Sequence, residues 1–298
     1  IYYNSTTANY YGARSAVLTF KAWDGTIGTA SSKLNPGTYS ATAAFSSATD
    51  TVSVSVTPFN DATVITTSGS LSYTEAGAAA AIQPSLTLAD VDDAQITGGS
   101  ISIANPVTGD ILSFTNTGTI TGIFSGGVLT LTGTDTLANY QAALRTVKFS
   151  SISSDPTIKG TRRTRTVTFS VTDANGSTGA NGQQTSTTTS TINITAVNDA
   201  PTLTTFTVPF ASTNEDIEVE ITFANLLAQG DAADIDGTVN AFVIKAVSTG
   251  TIKIGTSAGV ATAWNASSNA TIDATKKAYW TPASNFNGTL NAFTAVAK

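Results

Sequence analysis

One signature recurs in this chain, each time at the end of an alternating strand pattern. Val52-Ser53-Val54-Ser55-Val56 runs into Asn60-Asp61-Ala62, and Ile192-Asn193-Ile194-Thr195-Ala196-Val197 runs into Asn198-Asp199-Ala200-Pro201. Alternation of apolar and polar residues gives a strand one apolar face, and Asn-Asp is turn chemistry. The two asparagines lie 138 positions apart. A period of this kind points to a row of similar units, each with its own core.

The two ends of the chain extend the pattern. Asn9-Tyr10-Tyr11-Gly12, followed by Ala16-Val17, matches Asn285-Phe286-Asn287-Gly288, followed by Ala292-Phe293. Gly12 precedes Asn60 by 48 positions and Gly288 follows Asn198 by 90, which together restore the period. The expected organisation is residues 1–60 as the back part of a repeat, 61–199 as a complete repeat, and 200–298 as the front part of a further one. The chain is then a window on a longer tandem array.

Each unit reads as all-β. Strands are expected at 16–22, 51–56, 99–104, 128–131, 164–172, 190–196, 218–223, 241–247 and 251–254, where Val, Ile, Thr and Phe concentrate or alternate. Asn35-Pro36-Gly37, Asn105-Pro106, Ser125-Gly126-Gly127, Asp155-Pro156, Asn175-Gly176 and Asn287-Gly288 separate them as turns. Short strands at this spacing predict a β-sandwich. One short helix is expected after Asp135 or Thr136, because Leu137, Tyr140 and Leu144 share a helical face. A weaker helical turn is expected over 223–228, and a low-complexity hairpin loop over 176–189.

Composition then removes most site chemistry. The 298 residues include no Cys, His or Met. Thiolate nucleophiles, disulfides, Fe–S clusters, His-dependent triads and His-ligated metals are all excluded. Fourteen basic residues against 20 acidic ones give a net charge of -6, which argues against nucleic acid as a partner. No run approaches the ~20 apolar residues of a membrane span. What remains for a metal is a hard cation on oxygen ligands, Ca²⁺ above all.

The carboxylates are few and grouped. Charged residues make up 11% of the chain, against ~25% in an average domain. Asp61, Glu75, Asp90, Asp92 and Asp93 follow the first Asn-Asp signature. Asp199, Glu215, Asp216, Asp231, Asp234 and Asp236 follow the second in the same order. Asp24 and Asp173 each end a strand. Ca²⁺ takes 6–8 oxygens at ~2.3–2.6 Å, and turns such as Asp90-Val91-Asp92-Asp93 present carboxylates and backbone oxygens together. The plainer reading of any one Asp is a turn residue bonded to its own backbone; repetition of the order at two junctions favours a cation. Asp234-Ile235-Asp236-Gly237 overlaps part of an EF-hand loop, but Ala232 and Val243 break that pattern.

Taken together, these motifs resemble the cadherin-like tandem repeats of giant bacterial surface adhesins, including RTX-type adhesins. The residues carrying the resemblance are 56–62, 196–201, Tyr73-Thr74-Glu75, Leu88-Ala89-Asp90 with Val91-Asp92-Asp93, 129–145, 168–176, Asn214-Glu215-Asp216, 233–237 and 279–288. The resemblance implies tandem Ig/cadherin-like β-sandwich domains with short linkers, stiffened at their junctions by Ca²⁺. It implies Asn60, Asp61, Asn198 and Asp199 as linker ligands and Glu75 and Glu215, with the adjacent Asp216, as early acidic ligands of the following domain. Asp90, Asp92, Asp93, Asp234 and Asp236 become its loop ligands, and Asp24 and Asp173 the strand-end ligands of the preceding domain. The chain departs from the pattern at Thr63, where the second linker has Pro201, and its Asn-Asp linker is shorter than that of vertebrate cadherins.

The expected role is structural and non-enzymatic. It is a stalk segment of an extracellular bacterial surface protein whose partners are neighbouring repeats of the same chain. The alternatives are a filament or sheath subunit completed by strand exchange between identical copies, and a carbohydrate-binding module. Trp23, Trp264 and Trp280 would serve the latter as a sugar platform, or else fill cores. Lys159, Arg162, Arg163 and Arg165 form the densest basic cluster, read as a solvated strand end rather than an anion site. Six sequons, at Asn4, Asn175, Asn193, Asn265, Asn269 and Asn287, would carry glycans only in a cell that modifies them.

Overall fold

A computed structural model describes residues 6, 10, 12–26, 45–46, 48–175 and 182–298. The expected turn at Asn35-Pro36-Gly37, the sequon at Asn4 and half of the 9–12 match lie outside these residues. β1 (Gly12–Phe20) and β2 (Asp50–Val56) form an antiparallel hairpin, with its register broken between Arg14 and Leu18.

The next stretch contains β3 (Val64–Thr66), β4 (Ser70–Thr74), β5 (Ala80–Ala81), β6 (Thr87–Ala89), β7 (Gln95–Ile103), β8 (Asp110–Ser113), β9 (Thr121–Ser125) and β10 (Val128–Thr136). Helix α1 (Leu137–Arg145), β11 (Lys148–Ser151), β12 (Thr164–Asp173) and β13 (Thr185–Thr195) complete it. One sheet has the order β4-β13-β12-β7-β10-β9, another β5-β11-β8, and β3 and β6 pair as a separate two-stranded sheet. All pairings are antiparallel except β13 with β4. Ile101, Leu129, Val167 and Phe169 from the first sheet meet Leu112 and Phe149 from the second in one core, each 2% exposed or less. This is a β-sandwich, and each such side chain contributes ~1.5–3 kcal/mol through burial.

Alternation explains most of these strands, but Gly99 and Gly133 explain how they fit. A Cβ at Gly99, inside β7, would meet Ser170 O of the neighbouring strand at 2.5 Å. Gly133 has φ +112° and sits where the β10–β7 register shifts, so it marks a bulge. The bulge turns β10 toward α1, whose first turn is capped by Thr136 accepting from Asn139 N–H. The expected helix is therefore found, with Thr136 rather than Asp135 as its cap. The expected loop at 176–189 is shorter: residues 176–181 lie outside the described set, and Thr185–Thr189 belong to β13. The Thr/Ser run there is low in complexity, yet β-branched Thr suits a strand paired along its length with β12.

A second core gathers Ile221, Leu226, Val239, Phe242, Ile244, Ile252, Ile254, Ile272 and Ala278. β14 (Val219–Ile221), β15 (Ala241–Val247), β16 (Thr251–Gly255), β17 (Thr262–Ala263), β18 (Thr271–Asp273), β19 (Lys277–Thr281) and β20 (Phe293–Ala297) surround it. Their sheets have the orders β14-β19-β16-β17 and β18-β15-β20. The strand expected over 218–223 stops at Ile221, because Thr222 caps helix α2 (Phe223–Gln229) in a reciprocal box with Asn225.

Arg165 corrects the reading of the basic cluster. Its strand parity with Val167, Phe169 and Val171 carries it into the core, where it is 1% exposed. Its Nε donates to Asp110 Oδ2 at 2.6 Å, and neither side chain is exposed. Removing one partner of such a pair strands the other charge in a poorly solvating interior. Arg165→Met should therefore cost ~3–5 kcal/mol, while Arg165→Met with Asp110→Leu should recover most of the loss. Urea unfolding of the two variants checks this; equal destabilisation by both would show that the unpaired charge is not the cause.

Candidate metal centre

β7 and β12 run side by side in opposite directions, and β12 ends beside Asn60 where β7 begins. The register Asp173↔Ile96 closes their ladder. Asp173 is fully buried, and its backbone and side chain both engage the chain entering β13. Its N–H donates to Gln184 O at 3.0 Å, and its Oδ1 accepts from Gln184 N–H at 2.9 Å. Asn60 Nδ2 donates to Asp173 Oδ2 at 3.1 Å and to Gly182 O at 2.9 Å. The linker asparagine is itself only 1% exposed, and its Oδ1 has no hydrogen-bond partner among the described residues.

The loop after β6 completes the group. Asp90 Oδ1 accepts from the N–H groups of Asp92 and Asp93 at 3.2 and 2.9 Å, which folds the loop around its carboxylate. Asp90 Oδ2 accepts from Thr63 Oγ1–H at 2.7 Å, and Asp92 Oδ2 accepts from Asp61 N–H at 3.2 Å. One carboxylate oxygen from each of Asp90, Asp93 and Asp173 lies within 4.8 Å of the others, with Asp93 5% exposed. Burial raises the Asp92 pKa, and its contact with Asp90 and the charges of Asp90 and Asp93 push it the same way. Burial also acts upward on Asp90, but the Thr63 hydroxyl and the Asp93 and Asp92 N–H groups outweigh it and hold its carboxyl below the ordinary value.

Thr63 was the departure from the second linker, and its hydroxyl is what Pro201 cannot supply. Asn175, which the motifs left unassigned as a ligand, also has a buried Oδ1 that finds no partner among the described residues. Its place two residues beyond Asp173 was the available signal.

The second junction repeats part of this geometry. Asp234 Oδ1 accepts from Gly237 N–H at 2.6 Å, the counterpart of the Asp90–Asp93 turn. Asp236 accepts from Asp199 N–H at 3.2 and 3.3 Å, the counterpart of Asp92 with Asp61. Gly237 stands where the first loop has the Asp93 carboxylate. Asn198 is exposed and donates to Asp199 O at 2.8 Å, unlike the buried Asn60.

The other sequence candidates separate from these groups. Glu75 Oε2 accepts from Val197 N–H at 2.8 Å, and Glu75 N–H donates to Thr195 O at 2.9 Å. It thus sits at the end of β13, whereas Asp173 sits at its start, roughly 35 Å away at ~3.3 Å per residue. The order along the sequence grouped Glu75 with Asp61 and placed Asp173 at the next linker; the strand reverses both placements. Asp216 (φ +62°) accepts from Asn285 N–H at 3.3 Å, and Glu215 is exposed. Asp24 forms a local turn with Thr26, whose N–H and hydroxyl reach its Oδ1 at 2.9 and 2.7 Å. Trp264 and Trp280 pack on the second core, and their indole N–H groups donate to Ile244 O and Thr249 O. Trp23 is 37% exposed and forms an isolated bridge with Phe45.

No protein-family model and no curated protein matches this chain. Among solved structures, a chimeric titin Z1Z2 functionalized with a KLER exogenous peptide from decorin is 14% identical. The match covers 75% of this chain and 83% of that one, with a TM-score of 0.19. The assignment of β-sandwich architecture stands on the sheets and cores themselves.

Asp231 offers a test of the acidic loops in solution. The Thr204 hydroxyl, then the Thr205 and Thr204 N–H groups, lower its pKa from 3.8 to about 2. A lowered carboxyl stabilises the fold above its unfolded value, and that contribution disappears as pH falls through about 2. A carboxyl-detected NMR titration should place the Asp231 midpoint near that value, and Thr204→Val should move it upward. A midpoint unmoved by the substitution would rule out the hydroxyl as the main cause.

Proposed function

We propose that the chain is a structural stalk segment of an extracellular bacterial surface protein, built from consecutive β-sandwich units whose first described junction binds Ca²⁺. Residues 61–199 form the complete unit in this reading, between the back part of one unit and the front part of another. The observation that carries the proposal is the meeting of Asp90, Asp93 and Asp173 beside the buried amide of Asn60.

The donor set fits a hard cation. Three carboxylates converge, two of them almost removed from solvent, and buried amide oxygens of Asn60 and Asn175 lack partners among the described residues. Every such atom is an oxygen, which is calcium chemistry rather than zinc or copper chemistry. A bound Ca²⁺ supplies positive charge that offsets the mutual repulsion of these acids. Asp90 orders the 90–93 loop through two amides, Asp173 fastens Asn60, and Asp92 fastens Asp61. The linker is therefore gripped by the same acids that form the centre, so neutralising them stiffens the direction in which the unit leaves its predecessor.

Binding to the folded state alone raises stability by RT ln(1 + [L]/Kd), ~2.7 kcal/mol at a hundredfold excess over Kd. The chain should therefore melt higher in millimolar Ca²⁺ than in chelator. Asp93→Asn should abolish most of that increment while raising the melting point in chelator, because one repelling charge is gone. Coincident melting curves with and without Ca²⁺, together with unchanged hydrodynamic radius, would reject the calcium centre.

A further inference from the structure

The basic cluster does not act as one patch. Arg165 is spent on the buried Asp110, Arg162 donates to Asn105 O, and Arg163 donates to Gly160 O. Lys159 points elsewhere: its Nζ donates to Gly237 O at 2.6 Å and to Asp234 O at 3.3 Å. Those oxygens belong to the acidic loop beyond the Asn198 linker, 75 and 78 positions along the chain. An ammonium here meets backbone oxygens turned outward by the loop that Asp234 folds around its carboxylate.

The loop carrying Lys159 is built to hold that aim. Ile158 and Lys159 have φ +49° and +50°. A β-branched residue in this region is a backbone outlier that persists only when its surroundings enforce it. Asp155 does so by accepting from Lys159 N–H at 3.0 and 2.8 Å through both carboxylate oxygens. Thr157 Oγ1 accepts from Gly160 N–H at 3.1 Å, and Arg162 N–H donates to Thr157 O at 2.7 Å. Arg165, fixed by Asp110, donates to Pro156 O and Arg162 O, at the two ends of the turn. The buried ion pair thus anchors the base of a strained turn, and the turn presents one cation.

The two junctions differ in charge accordingly. The first loop brings Asp93 to the group that Asp173 joins, whereas the second has Gly237 at the position of Asp93. We propose that Lys159 is a tethered cation that latches the Asn198 junction, so that this joint holds its angle without a metal ion. The proposal rests on reading 61–199 and 200–298 as consecutive units, and is independent of calcium at the Asn60 junction.

The absence of Cys makes the full chain suited to paired spin labels. Thr187→Cys and Ser257→Cys place labels at exposed sites on either side of the junction. Measured in chelator, the distance distribution should be narrow in this background and about twofold broader after Lys159→Met, which keeps the aliphatic stem. Asp155→Ala should broaden it as well, because it releases the turn while leaving the ammonium in place. Circular dichroism unchanged in both variants excludes unfolding as the cause. Unchanged widths in both variants, or a width set by added Ca²⁺ and indifferent to Lys159, would overturn the latch. Neither result bears on the melting test at Asp93, so the two ideas fail separately.

Discussion

Like charges brought together out of water repel more strongly than the same charges in solvent. Asp90, Asp93 and Asp173 face that constraint, and the architecture around them is organised by it. Asp90 is held ionised by a hydroxyl and two amides, while Asp92 beside it is pushed toward holding its proton. Asn60 can stand next to Asp173 because an amide N–H satisfies one carboxylate oxygen. The linker thus follows the acids: where they gather, Asn60 is buried, and where Gly237 thins them, Asn198 remains exposed.

Alternation made the strands legible. β2, β7, β10, β12, β15 and β16 overlap the expected spans, and in all of these but β2 one face packs on a core. The helix after Thr136 was equally readable, since its cap and its apolar face are local. What escaped was nonlocal. Pairing of β4 with β13 depends on residues more than a hundred positions apart and leaves no period in either strand. Glu75 and Asp173 were assigned to the wrong linkers for the same reason: sequence order ranks residues by distance from a motif, whereas an 11-residue strand carries its two ends to opposite poles.

Arg165 shows a different limit. Charge predicted exposure, while strand parity pointed to the core. Parity prevailed because Asp110, 55 positions earlier, supplies the counter-charge, and three backbone carbonyls accept from the two terminal nitrogens. A buried pair of this kind adds little net stability over well-packed apolar side chains. What it adds is a fixed base for the turn at 155–162, through polar contacts with defined directions that an apolar plug would lack.

The parallel ladder between β4 and β13 has a mechanical consequence. β4 lies near the entry to its unit and β13 at the exit, and they are bonded side by side over Ser70–Thr74 and Thr191–Thr195. Tension applied through the two linkers pulls these strands in opposite directions along their own axes. The bonds between them run across that direction, so they are loaded together in shear instead of being opened one after another. In the row of units proposed above, stretching would be resisted at the seam where each begins and ends, before the load reached the apolar interior.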